Sequence, residues 1–149
     1  MDDYIKSLIS TDIEFLDIFE HMEERISIFE PVYNEKGGIE DLIIKYVNKP
    51  LEFADRPVEK IIGRKISDVL GYENMKPYLE IAKKIAPKRE SIKFEHYYPP
   101  KDKYFLTSVF LTPDGYYIAL SMDITEQKIS REKLESSKQI LGKILIQRI

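Results

Sequence analysis

Between Thr11 and Glu24, apolar residues recur every three or four positions: Ile13, Leu16 and Phe19, with Phe15 and Met22 widening the stripe. That spacing predicts a helix. Thr11 followed by Glu14 has the form of a capping box, in which hydroxyl and carboxylate each accept a free backbone N–H. Acidic Asp12, Asp17, Glu20, Glu23 and Glu24 lie mostly between the apolar positions. Such a helix must bury its stripe on its own domain or on a second subunit. From Arg25 to Val32 the period drops to two. Ile26, Ile28 and Glu30 point one way and Ser27 and Phe29 the other, which predicts a strand stopped near Pro31. Asn34–Gly38 reads as a turn and Leu42–Val47 as the returning strand.

The stretch Asn48–Gly71 breaks into short pieces. Asn48 is expected to cap one short helix, Pro57 to open another that Gly63 stops, and Ser67–Leu70 to add a further turn. Asn74–Ile85 predicts a longer helix through Met75, Tyr78, Leu79, Ala82 and Ile85, ended by Pro87. Three strands follow, Ser91–Tyr97, Lys103–Leu111 and Tyr116–Met122, the last two joined by the tight-turn signal Pro113-Asp114-Gly115. Helical periodicity returns at Asp123 and continues to the end. The order of elements predicts an α+β fold, an antiparallel five-stranded sheet with short helices on one face. Residues 1–24 would carry the N-terminal helix, 25–123 the core and 124–149 a C-terminal helix.

Composition narrows the function classes. The chain has 149 residues, the size of one domain, and a formal net charge of -3, which gives no bulk attraction to nucleic acid. There are no cysteines, so disulfides, thiolate metal sites and cysteine nucleophiles are excluded. No apolar run approaches the roughly 18 residues of a membrane span. The start MDDYIKSLIS is acidic and lacks the apolar core of a signal peptide. A cytoplasmic location is the expectation. Glycine-rich phosphate loops, paired metal-binding histidines and nucleophile elbows are absent from the sequence, so no catalytic residue and no metal site is assigned.

Two motifs carry a resemblance. Asp123-Ile124-Thr125-Glu126-Gln127-Lys128 follows the last strand, and Asp123 is expected as N-cap with Glu126 completing a capping box. Tyr46-Val47-Asn48 is followed by Gly63-Arg64-Lys65. The first resembles the D-I-T-E-x-K run that closes the PAS domain in many sensors. The second is similar to the hydrophobic-x-N … I-G-K/R pattern that opens its helical part, although Pro50 and Arg56-Pro57 depart from that pattern. The resemblance covers about residues 12–128. It implies a sensory input module of a signalling protein, a histidine kinase above all, with Asp123, Ile124, Thr125 and Glu126 as the junction to an output domain. The alternative is a ligand-free module for protein–protein interaction and dimerisation.

The resemblance implies a central pocket, for which Tyr46, Phe53, Arg56, Tyr78, Phe94, Phe105 and Tyr117 are candidates. The same aromatic residues also suit a packed core. No cofactor is named: covalent flavin or cinnamoyl attachment would need a cysteine, and haem relatives take their histidine from the long helix, where this chain has none. His21 reads as an exposed helix residue. His96 lies near a strand end. The C-terminal helix, Ile124–Ile149, would run ~39 Å. Leu134, Leu141 and Leu145 form a heptad-like seam interrupted by Lys138 and Arg148, which predicts a homodimeric coiled coil leading to a downstream domain. The lack of a stop signal at Gln147-Arg148-Ile149 predicts that the helix continues in a longer protein.

Overall fold

A computed structural model describes residues 13–49 and 56–147. The Thr11–Glu14 capping box rests on Thr11, which lies outside them. Helix α1 (Ile13–His21) precedes strands β1 (Arg25–Tyr33) and β2 (Ile39–Val47). Among the described residues, helices α2 (Val58–Ile61), α3 (Ile66–Leu70) and α4 (Tyr72–Ile85) follow. Strands β3 (Ile92–Tyr98), β4 (Lys103–Leu111) and β5 (Tyr117–Asp123) then lead into helix α5 (Thr125–Gln147). The strands form one antiparallel sheet in the order β2-β1-β5-β4-β3. The α+β architecture expected from the sequence is the one observed.

Element ends differ from the sequence reading for local reasons. β1 runs through Pro31 to Tyr33, one residue past the Arg25–Val32 strand expected from the sequence. Pairing with β5 ends at Phe29, so Pro31 sits where the strand has a single neighbour and a missing N–H is tolerated. α4 starts at Tyr72, placing Pro77 inside it at the loss of one helical hydrogen bond. The short helix that Asn48 was expected to cap falls on residues outside the described ones. The Asn48 Oδ1 accepts from the Ile26 N–H at 2.8 Å, and its Nδ2 donates to the Phe19 carbonyl at 2.7 Å and the Glu24 carbonyl at 2.9 Å. One amide thereby ties the end of α1 to the start of the sheet.

The sheet carries a core on each face. On the helical face, Phe29, Ile44, Val47, Val109 and Tyr117 pack with Ile61, Ile66, Met75, Leu79, Ala82 and Ile85. On the opposite face Ile26 and Ile28 pack with Phe19 and Met22 of α1 and with Tyr46, Tyr116, Ile118 and Leu120. This explains why β1 is buried on both sides, unlike a strand with one wet face. Beyond the edge strand β2, the Ile44 N–H donates to the Arg64 carbonyl and the Gly63 N–H to the Ile44 carbonyl, at 2.9 and 2.6 Å. Gly63 holds a positive φ of 83° there. Buried Asp41 on β2 accepts from the N–H and hydroxyl of Ser67, supplying from across the chain the cap that Lys65 cannot give to α3.

Candidate functional site

Strand parity decides which side chains meet under the helices. Along β5 the helical face carries Tyr117, Ala119 and Ser121; along β4 it carries Phe105, Thr107 and Val109; along β3 it carries Ile92, Phe94, His96 and Tyr98. Arg25 is the cross-strand partner of Ser121. The apolar rows at the Tyr117 end thus give way to polar ones toward Asp123.

A hydrogen-bonded ladder crosses three strands there. His96 Nε2 lies 3.0 Å from Thr107 Oγ1, which lies 2.8 Å from Ser121 Oγ. The imidazole sits between Phe94 and Phe105, each with its ring centre 5.5 Å away, and stacks on Phe105 at an interplanar angle of 27°. Burial pushes the His96 pKa down, which favours the neutral ring. A neutral ring has one donating and one accepting nitrogen, so the tautomer sets the direction in which the His96–Thr107–Ser121 chain runs. Tyr78 of α4 faces this region. Burial pushes its hydroxyl up to about 12, with Tyr98 adding to the shift and the charge of Arg25 opposing it. The Tyr78 hydroxyl therefore stays protonated, as a hydrogen-bond donor. This set presents neutral hydrogen-bonding groups, the hydroxyls of Thr107, Ser121 and Tyr78 and the imidazole of His96, on one face of the sheet.

The pocket candidates read from the sequence separate. Tyr78, Phe94, Phe105 and Tyr117 share the helical face. Tyr117 is a structural clamp, because its buried hydroxyl donates to the Ala82 carbonyl at 3.0 Å. Tyr46 faces the other way, packed on Ile26 and Ile28. The cause is a bulge in β2: Ile28 pairs with Tyr46 but Phe29 pairs with Ile44, so Lys45 is an extra residue and every side chain beyond it changes face. Arg56 is also displaced. It lines an open surface concavity of about 730 Å³ with Glu59, Lys60, Ile62 and Arg64. Lys65 is exposed. Phe53 lies outside the described residues. Arg25, Tyr98, Thr107 and Ser121 were not singled out in the sequence. The period-two phase anchored on Phe29 and Tyr117 places Arg25 and Ser121 on this face.

The junction begins two residues beyond Ser121. The Ile124 N–H donates to the Tyr104 carbonyl at 2.9 Å, extending the β4–β5 ladder, and the Tyr104 N–H donates to Thr125 Oγ1 at 3.0 Å. Asp123 Oδ1 accepts from the Thr125 N–H at 3.0 Å and from the Thr125 hydroxyl. The Lys128 N–H donates to the Ile124 carbonyl, so Ile124 holds the N-cap position in place of Asp123. Because the ladder claims Ile124, α5 starts one residue late. Glu126 then falls at the second helical position, and the Asp123–Glu126 box loses its register. Burial acts to raise the Asp123 carboxyl, but the two bonds from Thr125 and the charge of Lys103, 3.7 Å away, hold it below the ordinary carboxylate value. Lys128 reaches back to Glu95 on β3 at 2.8 Å and lies over the Tyr104 ring. That bond lowers the Glu95 pKa and raises that of Lys128.

Beyond this clasp, α5 has no buried residue. Leu134, Leu141 and Leu145 are each more than half exposed, as are Ile140 and Ile146. Among the described residues, no helix is long and apolar enough to cross a membrane, and no three His, Cys, Asp or Glu side chains cluster as a metal site. Compared with models of known protein families the chain matches none, and it matches no curated protein sequence.

Proposed function

We propose that the chain is a PAS-type sensory input module of a cytoplasmic signalling protein, a sensor histidine kinase being the reading the resemblance favours. It is a regulatory unit with no catalytic centre of its own. The observation that carries this reading is the path from the helical face to α5. The His96–Thr107–Ser121 ladder ends two residues before Asp123, and Asp123 and Thr125 clasp the first turn of a helix that buries nothing on its own domain. A small molecule that exchanges hydrogen bonds with the ladder would pull on β4 and β5, the two strands that hold the clasp. Two copies would pair through α5, where Leu134, Leu141 and Leu145 supply the apolar seam. The ligand then shifts the balance between two arrangements of the paired helices by its difference in affinity for them.

Native mass spectrometry under gentle and then denaturing conditions tests this reading. A dimer carrying a releasable small molecule supports it. A bare dimer favours the alternative, a ligand-free dimerisation module, consistent with a ladder whose hydroxyls already bond one another. A monomer at every concentration contradicts the pairing of α5.

A further inference from the structure

The concavity lined by Arg56 is a distinct feature of the outer surface. Arg56, Lys60 and Arg64 surround it with Glu59 and with Ile62, which is 39% exposed. None of the three cations forms an ion pair among the described residues. The concavity belongs to α2 and the Gly63 turn, on the helical face of the sheet.

The matching surface is on α1 and the turn after it. Asp17, Glu20 and Glu23 are exposed and likewise have no ion-pair partner among the described residues. Ile18, 55% exposed, stands beside Asp17. α1 packs on the opposite face of the sheet, through Phe19 and Met22. One chain thus carries two unpaired patches of opposite charge, each with an exposed isoleucine, in different layers of the fold. In a chain of net charge -3, a cationic hollow stands out against the background.

We propose that the Arg56–Lys60–Arg64 concavity docks the acidic surface of α1 from a second copy of the chain. Ile18 and Ile62 would supply the apolar contact, and three charges on each side would fix orientation and speed encounter. The contact is separate from the α5 seam and does not depend on the sensory reading. Isolated surface ion pairs contribute little, so the strength must come from several acting together, and it must fall with salt.

Sedimentation velocity on the full chain tests this in a Leu134→Glu/Leu141→Glu background, which removes the α5 seam. The expected result is self-association at low salt that weakens as salt rises. Adding Lys60→Glu/Arg64→Glu should weaken it by about tenfold or more. Adding Asp17→Lys/Glu20→Lys to that variant should restore it. Circular dichroism checks that each variant is folded, which exposed positions favour. A background variant that is monomeric at low salt, an association indifferent to the Lys60/Arg64 reversal, or a double reversal that restores nothing would each overturn the proposal.

Discussion

β5 and α5 are consecutive in the chain and opposite in environment. β5 lies between β1 and β4, paired on both sides, with Tyr117 buried beneath α4. α5, 23 residues long and therefore about 35 Å, buries no side chain although it carries Ile129, Leu134, Ile140, Leu141, Ile144 and Leu145. At about 3.6 residues per turn these fall within an arc of roughly 160°, and Ile146, also exposed, lies outside it. One element is stabilised by its own domain; the next leaves its apolar side chains exposed. The few residues between them, Asp123 to Lys128, are where the two regimes are joined.

The largest expected contrast is between core and helix. Ile44→Ala, at a fully buried site under the helices, should cost about 2–5 kcal/mol in urea unfolding, through lost burial and the cavity left behind. Leu141→Ala should change the unfolding of the monomer by no more than about 0.5 kcal/mol, yet weaken dimerisation measured by sedimentation. Equal costs in unfolding would erase the distinction between the two elements.

Next in size is the joint. Thr125→Ala removes the acceptor for the Tyr104 N–H and the hydroxyl bond to Asp123. The expected cost is roughly 0.5–2 kcal/mol, with faster amide exchange at Tyr104 and in the first turn of α5. Normal protection in that turn would mean that the clasp does not hold the helix.

A smaller effect is expected from pH. The His96 pKa is lowered on folding, so the unfolded chain binds the proton more readily. Stability is then complete above the ordinary value near 6.5 and falls as pH drops from there through the folded pKa. His96→Gln should flatten that part of a stability-against-pH curve, and an unchanged slope would assign it to other groups. The smallest effect is at Glu95 and Lys128, whose bond is exposed to solvent. Lys128→Met should bring the Glu95 carboxyl back up toward its ordinary value in a carbon-13 NMR titration, with little change in stability.

Much of the fold was legible in the sequence because burial there follows simple periods. Lys103–Leu111 was located to the residue, and Pro113-Asp114-Gly115 marked its turn, with Gly115 at a φ of 90°. The site was less legible. Tyr46 was misplaced by a bulge at Lys45, and one extra residue in a strand leaves no mark in a pattern of apolar letters. The bonds of Asn48 to Phe19, Glu24 and Ile26 left no local signal, because those partners are more than twenty residues away in sequence. Thr107 and Ser121 passed unnoticed for the same reason: small hydroxyls on separate strands become a ladder only when the sheet aligns them with His96. At Asp123 the motif was recognised and its frame was one residue off, because the claim of Tyr104 on Ile124 comes from the neighbouring strand.

The most direct test of coupling between the helical face and α5 uses the absence of cysteine, which makes Glu135→Cys a unique labelling site on α5. Pulsed electron–electron resonance then measures the distance between the two labels in a pair of chains, with and without Thr107→Val, which breaks the ladder at its centre. The expected result is one defined distance in the parent chain and a shifted or divided distribution in the variant. A pair distance that is the same in both, or no pair distance at all, would contradict a helix that reports on the face beneath α4.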